Sequence, residues 1–404
     1  MSRSSTRNTL DPVLNDHQTR LATIDLVYFD AGGGHRAAAT ALRDFIGRRH
    51  PDWTVRLVHL FHVLDPQQRF RRATGMAPED YYNKRLAHGW TIGLKQELRI
   101  LQGMIRLGHP LLVDSLRAHW RNSRPDLVVS LVPNFNRALR QSLSQAWPEV
   151  PFVTIMTDFA DHPPHFWIEP DLDQIVVCGT PHAVGQALLA GVPASRLHQV
   201  SGMLLRPNFY DLRPCDRSEE RRQLGLDPAR PVGLVMFGGQ GARAMNTIAQ
   251  KLEDQQLILV CGHNARLAKR LRAASARAPH AVIGFTDQVP RLMQLADYFV
   301  GKPGPGCLSE AVHMGLPVVV VSNAWTMPQE RYNPTWVLEN RLGLVIPSFS
   351  RVGDAVGQLL RDLTAYRAAA TRMRNHAGPE IVEILEGALL GRPALARTGH
   401  PLAA

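Results

Sequence analysis

Residues 24–40 read IDLVYFDAGGGHRAAAT. The apolar run Ile24–Phe29 suits a strand and the run from Arg36 suits a helix. Between them stand three glycines, Gly32 to Gly34, and His35. A packed core has no need of such a junction. Glycines after a strand admit backbone conformations closed to other residues and let a ligand approach the main chain. The unpaired N–H groups of the helix start suit an anion. The spacing is not GxGxxG and no Walker lysine follows, so neither a dinucleotide fold nor a P-loop is supported. Glycines alone make a tight turn as readily as a site. His35 changes the balance. The helix dipole disfavours its cation, leaving a neutral ring able to accept a proton, or simply a loop histidine bonded to backbone.

The same grammar recurs along the chain. Short apolar runs stand at 24–29, 54–60, 126–131, 151–156 and 174–179, and again at 232–237, 257–261, 281–285, 298–302 and 317–321. Such runs alternating with amphipathic helices predict an α/β protein with two doubly wound parallel sheets, each covered on both faces. Ligands of such folds lie at the carboxyl ends of the strands. A proline- and charge-rich stretch places the boundary near Arg206–Arg213. The expected division is a flexible tail at 1–20, one domain at 21–207 and a second at 208–365. Helices at 366–390 cross back to the first domain by fold analogy, and a second tail fills 391–404.

The 404 residues suit two domains, and no apolar run is long enough for a spanning helix. The polar N-terminus lacks the apolar core of a secretory signal, so a cytoplasmic protein is expected. Cys178, Cys215, Cys261 and Cys307 form no CxxC pair, which argues against a zinc site or a disulfide framework. A net charge of +11 calls for anionic lipid, phosphorylated ligands or nucleic acid, or is a solvated arginine-rich surface. No RNA-binding signature accompanies it, so nucleic acid is not expected. The segment 61–124 interleaves Phe61, Phe70, Tyr81, Tyr82 and Trp90 with Arg69, Arg71, Arg72, Lys84, Arg85, Lys95, Arg99 and Arg106. Within it Leu94, Leu98, Leu101 and Ile105 form an apolar stripe. That stripe packs on its own domain or faces a membrane, and its pattern fits both.

The second half repeats the glycine junction twice, in MFGGQGAR (236–243) and GKPGPGCLSEAVHMGLPVVVV (301–321). Several glycine-to-helix junctions together point to a phosphate-bearing ligand. Glu310 stands where a carboxylate takes ribose hydroxyls, or where an acid favours a helix start. Asp171-Leu-Asp173 has the DxD metal spacing but precedes a buried run far from these loops, so it is read as surface chemistry, and His162 and His165 of HPPH as a loop whose prolines prevent helical metal spacing. No metal or cofactor is expected.

The blocks GGGHRAAA, LVPNFN, TDFADHPPHFW, MLLRPNF, FGGQGA, VCGHNARLAKRL, the PGPG…E…GLP block and PQERYNPTWVLENRLG occur in one order over residues 24–345. In this the chain resembles the monogalactosyldiacylglycerol synthases and processive diacylglycerol glycosyltransferases of glycosyltransferase family 28. The resemblance implies a GT-B fold of two Rossmann-like domains facing across a cleft, 21–207 binding acceptor and membrane and 208–365 binding the donor, with an inverting mechanism, a UDP-sugar donor and a lipid acceptor. It implies His35 as catalytic base, and Gly238, Gly239, Gly241 and Gly304-Pro305-Gly306 as diphosphate loops. Glu310 then binds the ribose, Gln329 and Glu330 read the sugar, and Phe285 lies beside the uracil. Asp158 orients the acceptor or base, and Arg206 holds the diphosphate or a hinge. Gly33, Gly34, His162, His165 and Trp167 line the acceptor loops.

Pro303, Cys307 and the lead-in SNAWTM depart from the family pattern beside the hexose pocket, which opens the choice of sugar. The long targeting extension of the plastid enzymes is absent, in keeping with a bacterial protein. The expected activity is transfer of galactose or glucose from a UDP-sugar to a diacylglycerol-type lipid. The expected place is the inner face of the cell membrane, on its anionic surface. A soluble UDP-sugar epimerase and a non-catalytic UDP-sugar sensor are the alternatives.

Overall fold

The structure, a computed structural model, describes residues 21–30, 33–76, 80 and 94–391. Among the described residues twelve strands form two six-stranded sheets, and every pairing is parallel. The first holds β1 (Thr23–Tyr28), β2 (Thr54–His59), β3 (Leu127–Ser130), β4 (Phe152–Ile155), β5 (Ile175–Cys178) and β6 (Leu197–Gln199), in the order β2-β1-β3-β4-β5-β6. The second holds β7 (Val232–Met236), β8 (Gln256–Val260), β9 (His280–Ile283), β10 (Tyr298–Gly301), β11 (Val318–Val321) and β12 (Gly343–Ile346), in the order β12-β11-β10-β7-β8-β9. The ten apolar runs are ten of these strands. The edge strands β6 and β12 escape the pattern because Leu-His-Gln is mostly polar and the apolar Leu-Val-Ile is only three residues between Gly343 and Pro347.

Burial on both faces explains the continuous apolar strands. Ile24 and Leu26 face Leu42 and Phe45 of the helix Gly34–Arg49, while Val27 and Val128 face Leu116, Trp120 and Leu139 on the other side. In the second sheet Leu234 and Ile258 pack on Met293, Leu308 and Trp336, and Val235 and Leu259 on Ile248, Leu267 and Leu359.

The helix Leu363–Arg372 stays with the second sheet, where Ala370 is buried. The chain crosses at Met373–His376, and the helix Ala377–Leu389 lays Ile381, Val382 and Leu385 onto the first sheet's core. Asn375 fixes the crossing by donating to the Met203 carbonyl at 2.8 Å. Glu386 then holds Arg49 at 2.6 Å. Phe159, Met203, Leu205 and Phe209, all from the first half of the chain or its boundary, are buried in the second sheet's core.

The amphipathic helix Leu94–Leu107 divides its apolar residues. Leu98 and Ile105 pack against the first domain, as one reading of the stripe requires, and Leu101 is half out. A different row, Ile100, Met104 and Leu107, continued by Leu111 on the next helix His109–Ser123, is exposed, with Leu107 86% exposed. Arg99 and Arg106 flank it. The tails 1–20 and 392–404, Gly32, Tyr81, Tyr82, Lys84, Arg85 and Trp90 lie outside the described residues, as do the side chains of Phe70, Leu94 and Lys95. Among the described residues no helix is long and apolar enough to cross a membrane.

Candidate active site

In each sheet the strand order reverses once, opening a crevice at the carboxyl ends. The first reversal lies between β1 and β3, and both strands send a residue to it. Gly33 after β1 adopts φ 77° as the helix N-cap, a conformation that favours glycine, and His35 follows on the first turn. Leu131 directly follows β3, and its carbonyl lies 2.9 Å from His35 Nδ1. A carbonyl only accepts, so Nδ1 carries the proton and Nε2 keeps its lone pair. The Thr157 hydroxyl stands 3.2 Å from the same Nδ1. Burial, set against the Leu131 hydrogen bond, lowers the ring's pKa from 6.5 to about 4. The ring is thus neutral, as its place at a helix start predicts, and desolvation is the larger reason.

Phe29 and Trp167 flank His35 with ring centroids 4.6 and 5.8 Å away. The Trp167 indole donates to Asp158 Oδ2 at 2.9 Å. Asp158 therefore orients the indole that flanks His35, while Nδ1 itself is held by Leu131 and Thr157. Burial raises the Asp158 carboxyl to about 7, helped by nearby Glu330 and Asp161 and opposed by the Trp167 bond and Lys302. Asp161 knits the following loop, accepting from the backbone N–H of Trp167 at 2.6 Å and of His165 at 2.9 Å. His162 is half-buried in that loop. His165 is exposed at the rim of a cavity of about 480 Å³ shared with Gln102, Arg106, Asn134 and Arg137. Asp173 of the DxD is occupied by Arg140 and Arg196, each at 2.6 Å.

The second reversal lies between β7 and β10. Gly238 and Gly241 after β7 have φ 78° and 59°. Gly304 caps the helix Pro305–His313 after β10, and Pro305 occupies its first turn, where a missing N–H costs nothing. The two loops meet at Cys307, whose sulfur accepts a hydrogen bond from the Gly238 backbone. Burial, with the Glu310 and Glu330 charges, pushes that thiol up to about 12, so it remains protonated. Lys302 Nζ lies 2.7 Å from Glu330 Oε1. Glu310 faces Arg206 at 3.9 Å, and burial outweighs that cation to raise its carboxyl to about 7.

Gly239 is tied to the end of β8, its carbonyl accepting from His263 N at 2.8 Å. The His263 ring stacks on Phe285 with centroids 4.0 Å apart. Phe285 stays 63% exposed, a free aromatic face at the crevice edge.

The structure gathers Gly238, Gly239, Gly304, Pro305, Gly306, Glu310, Glu330 and Arg206 at one crevice, with Gln329 beside Glu330 on the turn Pro328–Glu330. His35, Gly33, Gly34, Trp167 and Asp158 gather at the other, and Asp158 reaches the field of Glu330 and Lys302. Sequence reasoning missed Leu131, Thr157, Lys302 and His263. Lys302 and His263 each lie inside a quoted block and could have been flagged as basic side chains beside a glycine turn. Leu131 acts through its carbonyl, which no residue type announces. Among the described residues no group of three or more His, Cys, Asp or Glu is placed to hold a metal.

Residues 233–383 match the glycosyltransferase family 28 C-terminal domain, and residues 35–202 match monogalactosyldiacylglycerol (MGDG) synthase. The chain thus resembles glycosyltransferase family 28 in its second half and the MGDG synthases in its first. The two matched regions divide the site: His35 opens the MGDG synthase match, and the Gly238-to-Glu330 crevice lies inside the family 28 match. Two relatives carry the likeness across most of the chain. The probable monogalactosyldiacylglycerol synthase 2 of Oryza sativa subsp. japonica is 28% identical over 350 residues, covering 78% of this chain and 68% of its own length. Monogalactosyldiacylglycerol synthase 1 of Arabidopsis thaliana is 27% identical over 356 residues, covering 82% of this chain and 63% of its own. The chain thus spans about two thirds of these relatives. Among solved structures, the calicheamicin glycosyltransferase CalG4 superposes with a TM-score of 0.60 at 17% identity over 92% of this chain and 99% of its own. MurG of Acinetobacter baumannii gives 0.59 at 12% over 90% and 99%. These last two establish the glycosyltransferase fold, two parallel sheets facing across a cleft.

Proposed function

We propose that the protein transfers a hexose, galactose or glucose, from a UDP-sugar to a diacylglycerol-type lipid at a membrane face, with inversion. The observation that carries this reading is the committed Nδ1 of His35, which leaves Nε2 as a neutral base at the switch point of the first sheet. In the proposed step Nε2 takes the proton of the acceptor hydroxyl as its oxygen attacks the anomeric carbon. The bond from that carbon to the diphosphate oxygen breaks, and UDP leaves with the electron pair. The developing charge falls on the Gly238 turn, the N-terminus of the helix Pro305–His313 and Arg206, which are preorganised for an anion. One displacement inverts the anomeric centre.

The membrane face of the reading rests on Ile100, Met104, Leu107 and Leu111, more than half exposed each and edged by arginines. A surface of this kind suits an anionic leaflet, where each nearby basic residue adds about 1 kcal/mol. The test is incubation with radiolabelled UDP-galactose or UDP-glucose and diacylglycerol liposomes, beside His35→Ala. Label is expected in the lipid phase from wild type, falling about 10²–10⁴-fold in the variant while UDP affinity stays within about twofold. Absence of lipid label with every donor would sink the acceptor assignment. UDP-sugar turnover without lipid would favour an epimerase instead.

A further inference from the structure

Gln329 and Glu330 ride on one short turn, Pro328–Glu330, which runs straight into the helix Asn333–Glu339. From below, the turn is fixed by its own domain. Lys302 holds Glu330, and the Asn333 amide donates to the Pro303 carbonyl at 2.6 Å. From above, it is gripped by the other domain. His182, at the start of the helix Pro181–Leu189, stacks on the Tyr332 ring with centroids 3.9 Å apart and planes 13° from parallel. The Tyr332 hydroxyl donates to Glu339 at 2.9 Å, which sets the ring's tilt. Next to it Phe159, in the loop after β4, meets Trp336 at 4.6 Å.

The two contacts differ in kind. Phe159 and Trp336 are core, while His182 is exposed and Tyr332 half-buried, so removing the outer stack leaves the fold intact. The outer stack bears on Tyr332, two and three positions after Glu330 and Gln329, and adds a hold from the first domain to those that Lys302 and Pro303 supply from below. Small changes in seating matter to groups that must meet sugar hydroxyls.

We propose that the hexose is selected by both domains together, with His182 and Tyr332 as positioning residues. Their stack seats the Gln329–Glu330 turn and so couples closure of the first domain to recognition of the sugar. This rests on the reading that Gln329 and Glu330 face the hexose of a UDP-sugar. The donor sugar pocket is thereby incomplete without the acceptor domain.

The test uses the full chain as wild type, Tyr332→Phe, Tyr332→Ala and His182→Ala, titrated calorimetrically with UDP, UDP-galactose and UDP-glucose. UDP affinity is expected to stay within about twofold in all four. The affinity added by the sugar, and the ratio between the two hexoses, are expected to fall about tenfold in Tyr332→Ala and His182→Ala. Tyr332→Phe, which keeps the ring, is expected to retain both. Unchanged sugar increments in the two alanine variants would overturn the clasp. So would an equal loss for UDP and UDP-sugar, which marks a general structural role. A wild type that binds UDP with no added affinity from either sugar would overturn the role of Gln329 and Glu330 themselves. A wild type that binds none of the three ligands would overturn the function proposed above.

Discussion

At the scale of single residues, opposing pKa shifts organise the cleft. Asp158 is raised to about 7 by burial, so the folded state holds its proton more tightly than the unfolded chain. The stability this contributes is full below pH about 4 and is lost as pH rises through about 7. His35 has the opposite sign. Its pKa is lowered to about 4, so its contribution is full above 6.5 and fades as pH falls toward 4. Asp158→Asn separates the two. The variant is expected to be more stable than wild type by about 1–3 kcal/mol at pH 8, with the gap closing toward pH 5. Thermal melts at both values, without ligand, check this. A constant gap across that range would mean that Asp158 is ionised throughout.

Elements carry the next set of consequences. A Cβ on Gly262, at φ 58°, would lie 2.2 Å from the Gly239 oxygen, so only glycine lets the β8 end support the donor turn. Gly262→Ala is expected to weaken UDP binding by more than about tenfold while circular dichroism stays unchanged, the turn being displaced and not the sheet. The exposed helix row gives a second expectation. Ile100→Glu with Leu107→Glu should abolish liposome binding without altering UDP affinity, and raising salt should weaken only the arginine part. A sedimentation assay with anionic liposomes reads both.

Element by element, the parallel strands were legible because both faces of each are buried, which leaves an unbroken apolar run such as Val318–Val321. The glycine junctions were legible because few residue types tolerate a chain turning into a helix beside a ligand. What escaped lies in contacts between distant segments. The His35–Leu131 bond spans 96 positions, and the helix spacing of Leu94, Leu98, Leu101 and Ile105 says nothing of Ile100 and Leu107 standing in water.

At the scale of the whole molecule, the two sheets are stitched by exchange. Phe159 and Phe209 are buried in the second core, and the helix Ala377–Leu389 is laid on the first. Ending the chain before Ala377 would uncover Ile381's partners Ile24, Leu42 and Phe45. Burying an aliphatic side chain is worth about 1.5–3 kcal/mol, so losing Ile381, Val382, Ile384 and Leu385 removes more than a marginal domain can spare. The shortened protein is expected to be insoluble or to bind hydrophobic dye at 25 °C; a soluble form with an unchanged melting temperature would show the helix to be dispensable.

That helix also bears on how the molecule is made. Domains usually fold in the order in which they leave the ribosome. Here the first sheet emerges early with one face covered by the helix Gly34–Arg49 alone, and the rest of that cover is synthesised only after all of the second domain. The nascent first domain must wait, with a strip of that face bare, until the helix Ala377–Leu389 arrives to close it.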